Sequence, residues 1–238
     1  MAEGFARLDD LAAEFDVSVM TMHRDIDVLQ TEGWLTKIRG GATANPAALV
    51  EAGVRERSAA MKAEKLAIVT AAAELVARSQ TVFLDDSTTA LGLLPHLGAK
   101  SPITVVTNFL PAVAAAAEVP GVSLHLLGGE YHPHQEACMG LQTVDAIATF
   151  HADVFLMSTT AVTEGRCFHR SEATIAVRRA FLAHSARKVL LVDHAKFGRP
   201  AAHLLCAVDA FDTVITDSGI DSEDLAMLQE HVKEVIVA

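Results

Sequence analysis

Residues 11–29 read LAAEFDVSVMTMHRDIDVL, and the run divides into two short amphipathic helices joined by a tight turn. The first helix gathers Leu8, Leu11, Ala12 and Phe15 on one face. Asp16 breaks it, Val17 is expected to plug the turn, and Ser18 is a favoured N-cap for the helix that follows. The second helix spaces Met22, Ile26 and Leu29 by four and three residues, the interval of one buried stripe. Its other face offers Val19, Met20, Thr21, His23 and Arg24. A small residue where two helices cross and a polar first turn on the second are what a helix-turn-helix needs to set a reading helix into a DNA major groove. Corners between helices of other globular domains share part of this pattern, so the flanking sequence carries the decision.

After Leu29 the chain continues QTEGWLTKIRGGAT. Gly33 ends the helix, Trp34–Ile38 suits a short strand, and Gly40-Gly41 turns it back, the plan of a winged helix. Lys37 and Arg39 then stand where they can touch phosphates, and Ser18, Met20, Thr21, His23 and Arg24 complete the expected DNA-binding set. At this point the chain resembles the DeoR family of bacterial transcription regulators. The resemblance is carried by Leu11-Ala12-Ala13-Glu14-Phe15, Val17-Ser18, Met20-Thr21, Arg24-Asp25, Leu29, Glu32-Gly33 and Arg39-Gly40-Gly41-Ala42. It implies a further basic helix ahead of these two, for which the roughly ten residues before Leu11 leave too little chain. A shortened head would leave Leu11, Phe15 and Ile26 uncovered.

The whole chain is 238 residues with a net charge of −11 and half its residues apolar, enough for one medium domain and one small one. Residues 1–45 hold four basic side chains against eight acidic, an unusual balance for a DNA-binding module, so a few well-placed cations must serve. No run is apolar and long enough to span a bilayer, and the first ten residues lack the apolar stretch of a secretory signal. Three cysteines without Cys-x-x-Cys spacing suit reduced thiols in a cytoplasmic protein.

The expected organisation is a winged helix-turn-helix over 1–44, a linker over 45–61 opened by Asn45-Pro46, and a second domain over 62–238. In the second domain helices alternate with apolar strands: Thr81–Leu84, Ile103–Val106, Val122–Leu127, Val154–Met157, Lys188–Val192, Thr213–Ile215 and Glu234–Val237. Strands this apolar belong to a parallel sheet covered on both faces, so the fold class is α/β, doubly wound. Ligands of such sheets bind at the carboxyl ends of the strands. There the chain places Asp85-Asp86-Ser87-Thr88-Thr89, Thr107-Asn108, Gly128-Gly129-Glu130, Ser158-Thr159-Thr160 and Asp193–Gly198, five loops expected to converge on one crevice. The Asp86–Thr89 loop opens a helix, whose free amides and hydroxyls suit a phosphate, and Lys196 adds a charge. Asp85, Asn108 and Glu172 suit sugar hydroxyls, and His169 and His194 are further hydrogen-bonding groups. Any one of these has a plainer reading, since Ser or Thr at a helix start is usually a cap and Gly128-Gly129 a turn.

The family resemblance extends through this half, in FLDDSTT, TVVTN, LLGGE, Gly140, the Lys65 helix, the segment from Glu172 to Arg179, and LLVDHAKFG. It implies an effector domain similar to ribose-5-phosphate isomerase and coenzyme A transferase folds. It further implies a phosphorylated sugar as ligand and a repressor, at least dimeric, acting on two-fold operator DNA. Asp86 departs from the family's usual Asp-Ser-Gly-Thr-Thr, and Ser158–Val162 from its usual Gly- and Asp-rich stretch. His132, His134, Glu136 and Cys138 lie within seven residues, but neither Cys-x-x-Cys nor His-Glu-x-x-His spacing is present, and no metal or other cofactor is expected. Two alternatives stand beside the repressor. One is a sugar-phosphate isomerase using Asp85, Glu172 and Lys196; the other is a sugar-phosphate-binding protein whose head no longer reads DNA. The winged-helix segment speaks against the enzyme, which has no need of it.

Overall fold

In the computed structural model, which describes residues 5–31, 35–38, 40–44, 53–199 and 201–238, the chain begins with β1 (Phe5–Arg7) and α1 (Leu8–Glu14). Asp16 reverses the backbone at a φ of 51°, and α2 (Val19–Thr31) follows. Ser18 caps it, Oγ accepting from the Thr21 amide at 3.1 Å. β2 (Leu35–Ile38) and β3 (Gly41–Ala44) form the wing, with Gly40 turning at a φ of 84°. β1 pairs with β3, so the wing is a three-stranded antiparallel sheet of order β1-β3-β2.

Leu8, Ala12, Met22, Ile26 and Ala42 make a small core, with Leu11 and Leu35 packed against it. The stripe on α2 is thus as expected at Met22 and Ile26, but Leu29 is partly exposed, Phe15 is 64% exposed and Val17 fills no core position. Phe15 misses the core because it follows the last turn of α1, where the chain has begun to turn away. Ile26 is covered by this core, contrary to the expectation for a shortened head. The expected helix end at Gly33 and the first part of the expected linker (45–52) lie outside the described residues.

Residues Arg57–Ala238 form a second unit. Seven strands make one parallel sheet: β4 (Thr81–Leu84), β5 (Ile103–Thr107), β6 (Val122–Leu126), β9 (Ala152–Met157), β12 (Ser185–Leu191), β14 (Thr213–Thr216) and β15 (Glu234–Val237), in the order β15-β14-β12-β9-β4-β5-β6. All seven apolar runs of the sequence are here. Alternation sends their residues to two cores. Val82, Leu84, Val154, Leu156, Val189 and Leu191 face Ile68, Val69 and Ala72 of α4 (Lys62–Ala73). Phe83 and Phe155 leave the opposite face and meet Phe181 of α9 (Glu172–Ala183), with ring centroids 4.9 and 5.2 Å from it.

Besides α3 (Val54–Ala59), α7 (Pro111–Ala117), α8 (Leu141–Ile147) and α10 (Ser222–His231), two short helices follow β4, α5 (Thr88–Leu91) and α6 (Leu94–Leu97). Pro95, which has no amide hydrogen, stands in the first turn of the second. Two antiparallel pieces were not legible in the sequence. β7 (Glu130–His132) pairs with β8 (Ala137–Met139), and β10 (Ala161–Thr163), β11 (Arg166–His169) and β13 (His203–Ala207) form a three-stranded sheet.

Candidate functional site

The sheet order reverses between β4 and β9, since the strands that follow β4 run to one side and those that follow β9 to the other. Chains leaving these two neighbours diverge and open a crevice at their carboxyl ends. Asp85 and Asp86 leave β4 there, and Ser158 leaves β9. Asp85 spans the seam: Oδ1 accepts from the Ser87 amide and Oδ2 from the Ser158 amide, each at 3.1 Å. Arg178, on the buried stripe of α9, reaches both carboxylates, with Nη2 3.0 Å from Asp85 Oδ2 and 2.9 Å from Asp86 Oδ1. Its Nε donates to Asp86 Oδ1 at 3.2 Å and its Nη1 to the Ser158 carbonyl at 2.8 Å.

All three side chains are almost wholly buried. Burial raises the Asp85 carboxyl to about 6, against the pull of Arg178. At Asp86 burial acts the same way, but the charges of Arg178 and Arg57 outweigh it and hold the carboxyl below its ordinary range. The triad carries one net negative charge when both carboxyls are ionised.

Three further cations lie around it. Arg57 donates from Nη1 to the Asp86 carbonyl at 3.3 Å. Lys65, on the first turn of α4, donates from Nζ to Thr88 Oγ1 at 3.1 Å and to the Arg57 carbonyl. Lys196 sits in a tight turn, His194–Lys196, after β12. Burial, together with the charge of Lys196, lowers Lys65 to about 8. Burial lowers Lys196 and Arg57 as well; Asp193 opposes the shift at Lys196, and Asp86 opposes it at Arg57. Asp193 is 1% exposed, and neither carboxylate oxygen has a hydrogen-bond partner among the described residues. His169 is driven down to about 3 by burial and the nearby Arg178 charge, so it is neutral, and its Nδ1 accepts from the Ser171 amide at 3.1 Å. Three half-buried cations, Arg57, Lys65 and Lys196, thus gather beside the buried triad, with the carboxylates of Asp193 and Glu136 among them.

The remaining expected residues divide. Ser87 caps α5 by accepting from the Ala90 amide at 3.0 Å, so its hydroxyl is already in use, while Thr88 binds Lys65 and Thr89 is buried. The loops after β5 and β6 spend their polar groups on internal contacts. Asn108 donates to the Cys138 carbonyl at 2.8 Å, holding the β7–β8 hairpin, and its Oδ1 is buried without a partner among the described residues. Gly128 gives its carbonyl to Thr143. Gly129 has a φ of 152°, and a Cβ there would stand 2.1 Å from Thr143 Oγ1, so this glycine is needed for close packing. Glu172 opens α9 with its side chain 82% exposed and lies 3.5 Å from His203 Nδ1. Its carboxylate points to solvent because the first turn of α9 projects beyond the buried stripe of Thr174, Ile175, Val177, Arg178 and Phe181. His194 is held by Asp217, with Nδ1 to Oδ2 at 2.6 Å.

In the head, Met20 is 77% exposed, Arg24 and Thr21 are exposed and His23 is half-buried. The Thr21 hydroxyl lies 2.8 Å from Ser18 Oγ. Lys37 is not a free cation: Nζ is 2.6 Å from Asp27 Oδ1. Arg39 lies outside the described residues.

The strand-end rule overlooked Arg57 and Lys65, which precede the first strand of the sheet, and Arg178, which lies within a helix. A signal was present for two of them. Arg178 stands four residues after Thr174 and three before Phe181, and Lys65 three before Ile68, each on an apolar stripe where a charge is costly unless it has a task.

A winged head and a doubly wound domain with a charged crevice at its switch point define a ligand-sensing DNA-binding regulator. Residues 60–218 match the family described as the DeoR C terminal sensor domain, and residues 1–47 match the DeoR-like helix-turn-helix domain. The chain belongs to the DeoR family of transcription regulators. It is 28% identical to the transcriptional repressor AccR of Agrobacterium fabrum, over 91% of this chain and 85% of that protein. It is 28% identical to the lactose phosphotransferase system repressor of Staphylococcus epidermidis, over 98% and 93%. It is 27% identical to the glycerol-3-phosphate regulon repressor of Escherichia coli, over 96% and 91%. Among solved structures it is similar to ribose 5-phosphate isomerase A of Methanocaldococcus jannaschii, at 16% identity and a TM-score of 0.41 over 56% of this chain and 53% of that one. It is also similar to eIF2B beta of Chaetomium thermophilum, at 14% and 0.48 over 72% and 54%.

Proposed function

We propose that this regulator is a repressor of a sugar-catabolism operon and that Arg57, Lys65 and Lys196 receive the phosphoryl group of a phosphorylated sugar. The gathering of three half-buried cations at the carboxyl ends of the strands, where the sheet order reverses, carries this reading. Lysines held below their ordinary range by burial regain charge and hydrogen bonds when a phosphate dianion joins them. The two orphan oxygens of Asp193 accept from sugar hydroxyls, which supply the donors they lack. The Asp85–Arg178–Asp86 triad is the floor on which the ligand rests. The chemistry is that of binding: the described crevice gives each carboxylate a structural or ligand-holding task, and the relatives are named as repressors. Operators with two-fold symmetry require two heads, so the working form is a homo-oligomer, at least a dimer, in the cytoplasm. The effector binds one arrangement of that oligomer more tightly and shifts the DNA-competent population. On α2, Arg24 reads a base edge, with Met20 and Thr21 beside it, and Ser18 and His23 flank the contact.

The test is a thermal-shift panel of sugar phosphates, each beside its unphosphorylated form, followed by gel shifts on the upstream DNA. A true effector at a hundredfold excess over Kd adds about 2.7 kcal/mol, and Lys65→Met and Lys196→Met remove the response. Equal shifts from phosphorylated and plain sugars would refute the phosphate assignment.

A further inference from the structure

Cys167 on β11 and Cys206 on β13 are directly opposed residues of antiparallel strands. Opposed residues of such a pair have Cα atoms roughly 4.5–5.5 Å apart and side chains on one face of the sheet, and disulfides span Cα separations of about 4.4–6.8 Å. Both cysteines are free thiols, and the Cys167 thiol hydrogen-bonds to Cys206. They differ in access: Cys167 is wholly buried and Cys206 half-buried. The ladder slips by one residue just after Cys167, a break in register at which a strand bends. Cys138, the third cysteine, lies opposite Tyr131 in the β7–β8 hairpin.

The two strands are fastened to the crevice. β11 ends at His169, and the Phe168 carbonyl accepts from Thr159 Oγ1 at 2.9 Å, in the loop after β9. Arg179 holds β13 to α9, donating to the Leu205 and Leu204 carbonyls at 2.9 and 2.8 Å, and its neighbour Arg178 holds the triad. We propose that Cys167 and Cys206 form a reversible redox pair that closes to a disulfide under a peroxide, reopens under a thiol, and changes the anion affinity of the crevice. The last clause rests on the effector reading above, whereas the disulfide does not.

The steps balance. Cys206 Sγ, the accessible sulfur, attacks one peroxide oxygen; the O–O bond breaks, Cys206 becomes a sulfenic acid, and the other oxygen leaves as water. Cys167 Sγ then attacks the sulfenic sulfur, the S–O bond breaks, and the thiol proton leaves with the hydroxyl as a second water. The two sulfurs lose two electrons and the peroxide gains them. The hydrogen bond from Cys167 favours this order, because it holds the Cys206 thiol below its ordinary range against the effect of burial, with the Arg179 charge assisting.

The experiment treats the full chain with hydrogen peroxide, counts free thiols after denaturation and maps linked peptides by mass spectrometry. Two of the three thiols should disappear, the peptides holding Cys167 and Cys206 should be joined, and dithiothreitol should restore both. Cys138→Ala should behave as the parent does, and Cys206→Ala should form no link. Persistence of all three thiols, a link through Cys138 or a link between two chains would overturn the pair. Inorganic phosphate, followed by thermal shift, then reads the coupling: its midpoint should differ several-fold between oxidised and reduced protein. Equal midpoints overturn the coupling. A phosphate response absent from both forms overturns the effector reading and the coupling with it, while the thiol count still judges the pair.

Discussion

Replacing Arg178 by Met removes the only guanidinium that the structure shows bridging Asp85 and Asp86, and fills the space with a side chain of similar length. The loss has two parts. Three donor contacts to carboxylates, at 2.9, 3.0 and 3.2 Å, and one to the Ser158 carbonyl disappear. Two carboxyls that are almost wholly buried then lack their counter-charge. Breaking a buried ion pair from one side costs about 3–5 kcal/mol, which in a unit of this size lowers Tm by roughly 6–20 °C. The pH dependence separates this cause from lost packing. Without Arg178 both carboxyls sit above their unfolded values, so their protonated forms favour the fold. The stability they contribute is full below the unfolded range near 4 and is lost as pH rises through the folded values. The gap between variant and parent should therefore narrow as pH falls from 7 towards 4. Urea melts at several pH values measure it. A loss under about 1 kcal/mol at pH 7, or a gap that does not change with pH, would refute the account of the triad.

The same kind of linkage applies to Lys65, held at about 8. Anion affinity should fall as pH rises through 8, and binding near that pH should take up a proton, seen as a buffer-dependent heat in calorimetry. In the free protein the unfolded chain binds more protons than the fold between about 8 and 10.4, so apo stability should rise across that window. Arg24→Ala should weaken specific operator binding by about 1–3 kcal/mol if it pairs with a guanine, as read by gel shift against an unrelated duplex. Because Asp27 already holds Lys37, Asp27→Asn should strengthen binding to all duplexes at low salt and steepen the salt dependence, with Lys37→Ala cancelling the gain. Gly129→Ala should destabilise by at least about 1–3 kcal/mol, since the added carbon meets Thr143 and the Met139 carbonyl in a backbone conformation that disfavours side chains.

The parallel sheet was legible because a strand buried on both faces has to be apolar almost throughout, as VFL in β4 and VLL in β12 are. The reading helix was legible from its cap and its four-then-three spacing. The antiparallel pieces were not: β10 is only three residues long, and β11, four long, places Arg, Cys and His around a single Phe. β13, the second partner of β11, arrives more than thirty residues later, so no local period announces the pairing. In the crevice, strand ends pointed to Asp85, Asp86 and Lys196, but tertiary packing chose their company. Arg57, Lys65 and Arg178 come from segments outside the loops after the strands, and Glu172 is exposed because the first turn of α9 projects beyond its buried stripe. Val17 does not plug the turn because the chain between α1 and α2 carries it away from the small core of the head, and Phe15, expected to lack a cover, is exposed.

The internal pairing of Arg178 with Asp85 and Asp86 separates two tasks that many binding sites combine. The contacts of the triad are made within the protein and tie the ends of β4 and β9 to α9, which fixes the floor of the crevice. On the proposed effector reading, selectivity is left to a rim drawn from elsewhere in the chain: Arg57, the first turn of α4 and the turn after β12. Such a rim can drift by single substitutions without placing the fold at risk, and a fixed pedestal can acquire a new chemical preference while its wiring to the rest of the protein is inherited intact.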